Sequence, residues 1–300
     1  MTSSEALIIL NLLSGVGAKR VQQLMAAFGA PEKVLRASQK ELMAINGIGE
    51  TLAATIMNWR QHADLDNERR LADKSGTRIL TLLDPDYPEL LKEIADPPPV
   101  LYIRGEIGAV SRVSQMGLAV VGSRRQTSYG VEATKRIVRS AVHAGWTIVS
   151  GLARGIDTIA HQETVEQDGV TLAVTAGGLL SIYPPENLEL ARAICQKGAV
   201  ITEQPMGMRP DKRTFPMRNR LISGLCRGTL VVEAGDRSGA LITAQQALEQ
   251  GRQVYAVPGR IDAPQSRGCH RLIKDGAKLV ESIDDIQEDF TFLPGFDLFQ

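Results

Sequence analysis

The chain has 300 residues, of which 43% are apolar, and this is enough for one large domain and a smaller one. Its 34 basic and 34 acidic residues cancel, so only local clusters of cations can indicate a nucleic-acid ligand. Apolar runs stay shorter than the about eighteen residues of a membrane span, no signal peptide is evident, and three dispersed cysteines suit a reducing compartment. We therefore expect a cytoplasmic globular protein that has neither a metal site nor a membrane partner.

Glycine turns divide the first part of the chain into short amphipathic helices. The pattern Gly-x-Gly followed by an amphipathic run occurs at Gly15 and Gly17 and recurs at Gly47 and Gly49. It resembles a pair of helix-hairpin-helix motifs, in which backbone N–H groups can face a phosphate. A compact module whose glycines only shape turns fits equally well. We assign residues 1–72 to this all-α, helix-hairpin-helix or SAM-like module and leave its contact with nucleic acid open.

A proline-rich arm follows the helical module, and its prolines favour extended or turn conformations. From residue 117 onward, apolar β-branched runs alternate with amphipathic helical stretches; the runs are LAVVG, TIVSG, TLAVTAGG, AVITEQ, TLVVEA, QVYAVPG and KLVES. This alternation predicts a Rossmann-like, doubly wound α/β domain with a mostly parallel sheet. We assign residues 73–285, including the arm, to this domain, and residues 286–300 to an acidic and aromatic C-terminal tail.

Small and basic residues follow several predicted strands, where open parallel sheets bind their ligands. They suit phosphate oxygens and comprise Gly122, Ser123, Arg124, Ser150, Gly151, Gly155, Ser238 and Gly239. The first turn departs from the G-x-G-x-x-G fingerprint of dinucleotide sites, and the sequence contains no Walker A pattern, so we expect no cofactor. Asp157 is interpreted as a helix N-cap and His161 as a structural partner. Tight turns with solvated arginines are the alternative.

The most informative segment is 209–220, which follows the fourth predicted strand. Its five cations stand against one acid, Asp211; they are Arg209, Lys212, Arg213, Arg218 and Arg220. Such cations can follow phosphates, and the ring of Phe215, near Asn219, can stack on an unpaired base that a duplex would hide. Pro210 and Pro216 argue against a regular helix, so we expect an exposed loop that binds single-stranded DNA.

Two features of this segment leave alternatives open. Phe215 could lie in the core, with the arginines on a solvated face. Arg218 and Arg220 could equally pin the segment to the sheet.

Several motifs in register resemble one family. VGSRRQTSYG, SGLARGIDTIAH, FPMRNRLISGL, EAGDRSGALITA, YAVPG and GCHRLIKDGA are similar, in this order, to the DNA-processing protein A family, DprA or Smf. The resemblance implies a bacterial, dimeric protein that binds single-stranded DNA, protects incoming strands in natural transformation and helps to load the RecA recombinase. The family's basic and stacking positions match Arg124, Lys212 and Phe215, with Gly122, Ser123 and Asn219 as supporting contacts.

The chain also departs from the family pattern. The loop AGGLLSIYP, residues 176–184, lacks the acid that the family often carries before Tyr-Pro. Many relatives add a C-terminal winged-helix module, which we do not expect after the last α/β element here. An apolar surface for the dimer is predicted at Leu272, Ile273 and Leu279, although these residues could equally be internal.

The tail concentrates four of the six phenylalanines, namely Phe290, Phe292, Phe296 and Phe299. We expect them to dock on the chain's own domain. An alternative is that residues 295–299, which resemble the bacterial sliding-clamp-binding pentapeptide, bind the clamp.

The competing hypothesis for the whole chain is an enzyme. A related α/β fold occurs in nucleotide phosphoribohydrolases, which carry Pro-Gly-Gly-x-Gly-Thr-x-x-Glu. The comparable region here, EAGDRSGALITAQQA, lacks that Glu, and cleavage of a glycosidic bond needs a positioned acid or base. We therefore predict a binding protein without catalytic residues.

Overall fold

A nine-stranded sheet forms the centre of the computed structural model, which describes residues 1–290. Its strands are β1 (Thr77–Thr81), β2 (Val100–Gly105), β3 (Gly117–Val121), β4 (Thr147–Ser150), β5 (Thr171–Val174), β6 (Ala199–Thr202), β7 (Gly228–Val231), β8 (Gln253–Ala256) and β9 (Lys278–Leu279). Their order is β1-β2-β6-β5-β4-β3-β7-β8-β9, and all neighbours from β6 to β9 are parallel. The predicted doubly wound, mostly parallel sheet is confirmed.

The arm contributes the two strands that the sequence did not reveal. β1 pairs antiparallel with β2, and β2 pairs antiparallel with β6, where Tyr102 lies opposite Thr202. Side chains of β2 alternate between the faces of the sheet, so that Leu101 and Ile103 enter one core while Val100 and Tyr102 enter another. The arm is therefore an integral edge of the sheet.

Seven helices form the N-terminal module, and its predicted all-α character is confirmed. They are α1 (Ser3–Leu12), α2 (Ala18–Phe28), α3 (Pro31–Val34), α4 (Gln39–Met43), α5 (Glu50–Met57), α6 (Trp59–His62) and α7 (Leu65–Lys74). Gly15 and Gly47 both have a φ of 82°, the left-handed backbone that the repeated turn requires and glycine adopts without strain. The two glycine turns therefore share one backbone geometry.

The helical module packs directly on one face of the sheet. Its apolar side chains share a core with Val100, Tyr102 and Val200 of the sheet. Two hydrogen bonds fix the segment that follows β6: the Glu68 carboxylate accepts from the Met206 N–H at 2.8 Å, and the Asn11 amide donates to the Glu203 carbonyl at 3.1 Å. Glu68 is buried, so this bond is shielded from water.

The remaining helices cover both faces of the sheet. They are α8 (Glu89–Lys92), α9 (Ile107–Met116), α10 (Ser128–His143), α11 (Ile156–Glu166), α12 (Leu188–Ile194), α13 (Thr214–Gly224), α14 (Gly239–Glu249), α15 (Arg267–Lys274) and α16 (Asp284–Gln287), with 3-10 turns at Pro185–Asn187, Pro264–Ser266 and Glu288–Phe290. Helices α8, α9, α13, α14 and α15 share one core, whereas α10, α11, α12 and the helical module cover the opposite face. Within residues 1–290, no helix combines the length and apolar character needed to span a bilayer.

The core continues past the predicted domain boundary at residue 285. Ile286 and Phe290 are buried, and the Phe290 ring meets Trp146 edge-on at a centroid distance of 5.5 Å. Phe290 thus packs on the chain's own domain. Phe292, Phe296 and Phe299, together with the pentapeptide-like residues 295–299, lie outside the described residues.

The three residues predicted for a dimer surface differ in exposure. Leu272 and Ile273 are half-buried and pack against the core on the α15 side of the sheet. Leu279 lies in the edge strand β9 and is 42% exposed. Of the three, Leu279 presents the most apolar surface to solvent.

Candidate nucleic-acid interface

An open groove of about 660 Å³ lies at the carboxyl ends of β3 and β7. The chain begins its parallel sheet at β3, winds outward through β4, β5 and β6, and returns to the other side of β3 with β7. This reversal of strand order is the point at which open α/β sheets bind ligands. The predicted residues that line the groove are Gly122, Ser123, Arg124, Lys212, Phe215, Arg218, Asn219, Ser238 and Gly239.

Close backbone packing sets the shape of the turns that follow β3 and β4. Gly155 has a φ of 84°, and a Cβ there would lie only 2.1 Å from the Ser123 carbonyl oxygen. The same carbonyl accepts from the Ile156 N–H at 3.2 Å. The Ser123 hydroxyl accepts from the Arg125 N–H at 3.0 Å, which closes the turn after β3. Gly155 is buried and therefore supports the groove from behind.

The basic segment is partly helical, which corrects the expectation of an exposed loop over residues 209–220. Helix α13 begins at Thr214, and Pro216 lies in its first turn, where the missing N–H has no helical partner to lose. The Asp211 carboxylate accepts from the Arg213 and Thr214 N–H groups at 2.7 and 3.1 Å. The one acid of the cluster is thus bonded to the start of the helix.

Arg218 and Arg220 are buried, which favours the alternative that they pin the segment to the sheet over a direct contact with DNA. Arg218 donates to the backbone carbonyls of Gly151 and Val174, and its guanidinium forms part of the groove floor. Arg220 pairs with Glu203 at 2.6 Å and with Asp96 at 3.0 Å. These guanidinium groups bond to the protein itself because α13 directs them inward.

Ser150 and Gly151 also lie inside the protein. Ser150, predicted to contact DNA, is fully buried, and its hydroxyl donates to the Val120 carbonyl at 2.6 Å, so that it bonds within the protein. Gly151 is buried, and its N–H donates to the Asp157 carboxylate at 3.1 Å. Ser150 therefore ties the end of β4 to β3, whereas Gly151 ties the turn after β4 to the first turn of α11.

Three buried titratable groups lie beside this turn, namely Asp157, Arg218 and His161. Asp157 is in the first turn of α11 and not at the cap, which Gly155 occupies; burial raises the pKa of its carboxyl, and Arg218 opposes that shift. Burial lowers the pKa of Arg218 to about 10 and that of His161 to about 3. His161 bonds through Nδ1 to the Thr171 hydroxyl at 2.7 Å, which agrees with its predicted structural role.

Exposed cations without acidic partners line the groove. Within residues 1–290, no carboxylate oxygen lies within 4.0 Å of the charged nitrogens of Arg124, Arg125, Lys212 or Arg237. Arg125 and Arg237 were not among the predicted site residues, although each directly adjoins a predicted turn. Unpaired cations around a concave surface focus a positive potential on it.

A row of two rings and two cations extends from the groove. The Arg124 guanidinium lies 5.2 Å from the centroid of the half-buried Phe215 ring, and the Tyr183 ring meets Phe215 at 5.8 Å and 64°. Arg154 lies 6.0 Å from the Tyr183 ring and forms an ion pair with Glu186. Neither Tyr183 nor Arg154 was among the predicted site residues, and the loop that carries Tyr183 departs from the family pattern.

The carboxylates in and beside the groove are bonded within the protein. Among the described residues that line it, Asp157 is the only carboxylate, and it is buried and bonded to backbone. Glu233, at the end of β7, is buried as well and accepts from the N–H of Thr127 at 3.0 Å and from its hydroxyl. The arrangement suits recognition of a polyanion.

The fold and groove together define a Rossmann-like α/β protein with a cationic, aromatic site at the switch point of its sheet. The family described as DNA recombination-mediator protein A matches residues 78–291, and a SAM-like helix-hairpin-helix tandem matches residues 8–58. The protein Smf of Synechocystis is 37% identical over 286 residues, which is 95% of this chain and 72% of that protein. The chain belongs to the DNA-processing protein A (DprA/Smf) family.

Solved structures of two relatives resemble this chain. DNA processing protein A from Streptococcus pneumoniae superposes with a TM-score of 0.82 at 34% identity, covering 96% of this chain and 98% of that one. DNA processing protein A from Helicobacter pylori, described with a single-stranded DNA binding mode, gives a TM-score of 0.63 at 27% identity, covering 71% of this chain and 95% of that one.

Proposed function

We propose that this chain binds single-stranded DNA in the groove at the carboxyl ends of β3 and β7. The observation that carries the proposal is the convergence of unpaired cations and an accessible aromatic ring on one open surface. Phosphates need cations, whereas unpaired bases need a ring on which to stack. The groove supplies both within one ligand-binding position of the fold.

Each part of the groove has a distinct role in this proposal. Arg124 and Lys212 bind phosphates, and Arg125 and Arg237 add positive charge at the rim. Phe215 stacks on a base. The turn formed by Gly122 and Ser123, and the start of α14 at Ser238 and Gly239, offer backbone N–H groups to phosphate oxygens. Asn219 supports the second of these turns through a 3.5 Å hydrogen bond to the Gly239 carbonyl.

Membership of the family extends the proposal to a cellular role. A protein of this family from Helicobacter pylori is described as binding single-stranded DNA. We infer that this chain acts in the cytoplasm on incoming DNA during natural transformation and homologous recombination, and helps to load the RecA recombinase. We assign no catalytic reaction to the groove.

Three further parts of the proposal concern assembly. The chain forms a homodimer through the surface around Leu272, Ile273 and Leu279. Residues 1–72 and 73–285 act as the helical and the DNA-binding unit. The tail, 286–300, is the segment to test for sliding-clamp affinity, and a tail peptide with no such affinity would remove that partner.

A titration of the full chain with fluorescent oligonucleotides tests the central proposal. Single-stranded and duplex DNA of equal length are compared at two salt concentrations. We expect tighter binding of the single strand and a steep loss of affinity with salt, because phosphate contacts release counterions. Equal affinity for the two forms would contradict the stacking role of Phe215, and affinity independent of salt would contradict the phosphate contacts.

A further inference from the structure

Tyr183 is unusual among the tyrosines of this chain because its ring is accessible. It is 42% exposed, whereas Tyr87, Tyr102 and Tyr255 are at most 1% exposed. Tyr129 is also exposed, and its hydroxyl donates to the Pro258 carbonyl at 2.5 Å. An exposed aromatic ring beside a cationic groove is a candidate surface for stacking.

The loop that carries Tyr183 is held at both ends. The N–H groups of Gly178 and Leu180 donate to the carbonyls of Met208 and Met206 at 2.8 and 3.1 Å. On the other side, the Asn187 amide donates to the Leu152 carbonyl at 2.9 Å. The loop is thus anchored to the turns after β4 and β6, both of which contribute to the groove or its support.

The orientation of the Tyr183 ring is set by its neighbours. Arg154 lies over the ring and is itself paired with Glu186, so its charge is partly neutralised. The same ring meets Phe215 edge-on, and a narrow cleft lined by Gly177, Pro184 and other residues separates this row from the sheet. A ring held on two sides is a preorganised surface, which binds with a smaller entropic penalty.

We propose that Tyr183 is a second base-stacking position, contiguous with Phe215, and that Arg154 orients its ring. This inference rests on the proposed binding of single-stranded DNA. The two ring planes are inclined at 64°, so two bases that stack on them separately cannot be parallel to each other. Neighbouring bases in a duplex are parallel, and only a flexible single strand can satisfy both rings. The pair of rings therefore selects single strands.

The test uses anisotropy titrations of a labelled thymidine oligonucleotide with full-length variants. Tyr183→Ala should weaken binding about five- to a hundredfold, the range that follows from loss of one stacked base. Tyr183→Phe keeps the ring and should bind within about twofold of wild type. Leu180→Ala is the matched control, because Leu180 is 48% exposed in the same loop but does not line the groove.

A purely supporting role for Tyr183 is distinguished by two further measurements. If Tyr183 stacks on its own base, the double variant Tyr183→Ala, Phe215→Ala binds more weakly than either single variant. If Tyr183 only holds the Phe215 ring in place, the double variant binds with the same affinity as Phe215→Ala, and the inference is overturned. An oligonucleotide of abasic sites gives the second readout: Tyr183→Ala should lose no affinity for it, and a loss equal to that for the thymidine strand would also overturn the inference.

The outcomes separate this inference from the proposed function. Wild-type affinity for single strands that falls with Phe215→Ala but not with Tyr183→Ala would remove only the second stacking position. Wild-type protein without affinity for single strands would remove the proposed function and this inference with it. Thermal unfolding of each variant, expected within a few degrees of wild type, confirms that losses of affinity come from folded protein.

Discussion

The basic segment 209–220 contains two kinds of cation that look alike in the sequence. Lys212, in the loop before α13, is exposed and lines the groove. Arg218 and Arg220, within α13, are buried and bonded to the protein. The difference shows that a cluster of cations divides by the direction of each side chain on its element. Exposed members can bind a polyanion, whereas buried members hold the helix that presents them.

The largest expected effect concerns the buried arginines and is a loss of stability. Arg220→Ala should lower the free energy of unfolding by about 3–5 kcal/mol, because Glu203 would remain buried without its cation. Urea denaturation measures the loss. The double variant Arg220→Met, Glu203→Gln should be more stable than Arg220→Ala, since it leaves no uncompensated charge in the interior. A stability of Arg220→Ala equal to wild type would mean that α13 is not pinned through this residue.

The second prediction concerns pH and His161. The pKa of His161 is about 3 in the folded protein, below the usual 6.5. Between these two values the ring binds a proton in the unfolded chain but stays neutral in the folded chain. The stabilising contribution is complete above pH 6.5 and is lost as the pH falls toward 3. At pH 4.5 the free energy of unfolding is lower by about 3 kcal/mol than at neutral pH on account of this one group.

Comparing wild type with His161→Gln isolates this contribution from those of the buried carboxyls nearby. The difference in unfolding free energy between the two proteins should change by about that amount between pH 7.5 and 4.5. A difference that stays constant over this range would show that the His161 ring is protonated in the folded protein. Arg218 faces His161 and carries the same sign of charge as a protonated ring, which also disfavours protonation.

The exposed side of the comparison predicts a smaller effect, confined to binding. Arg124→Ala and Lys212→Ala should each weaken single-strand affinity by about 1–2 kcal/mol and reduce the salt slope by about one. Stability should stay within about 0.5 kcal/mol of wild type, since neither cation has an acidic partner to lose. Anisotropy titrations at several salt concentrations measure both quantities. Affinity unchanged in both variants would place the DNA elsewhere.

The smallest effect is expected at the rim of the groove. Arg125→Ala and Arg237→Ala should each reduce affinity by less than about 1 kcal/mol, because a rim cation acts through screened, longer-range attraction. The loss should disappear at high salt. Arg260→Ala is the control, since Arg260 is also exposed but pairs with Asp262 and does not line the groove. A loss at the rim larger than that at Lys212 would reverse the assigned roles.

Much of the α/β domain could be predicted from the sequence because buried parallel strands are continuous apolar runs between amphipathic helices. The runs from LAVVG to KLVES correspond to β3 through β9. β1 and β2 were not predicted because they are short and the segment between them is rich in proline, which resembles a loop. The strand character of β2 depends on pairing with β6, about one hundred residues further along, and that of β1 depends on pairing with β2.

The meeting of Arg124, Lys212 and Phe215 could be predicted because loops that follow parallel strands share one edge of the sheet. The direction of Arg218 and Arg220 could not, since Pro216 obscured the helix that turns them inward. The inward direction of Ser150 could not be predicted either, because a hydroxyl at a strand end can face either solvent or the neighbouring strand. Tyr183 lies in a loop whose path depends on backbone bonds to residues 206–208, which no local pattern records.

The bond between Glu68 and the Met206 N–H couples the helical module to the segment that leads into the proposed DNA-binding groove. Met206 lies six residues before Lys212, and the module also shields Val100 and Tyr102. Deleting residues 1–72 would therefore uncover apolar sheet and release the start of the basic segment at once. A loss of DNA binding in such a truncated protein would therefore reflect the damaged sheet and basic segment, not missing contacts between the module and DNA. Single substitutions on the outer surface of the module are the way to learn whether its glycine turns touch DNA.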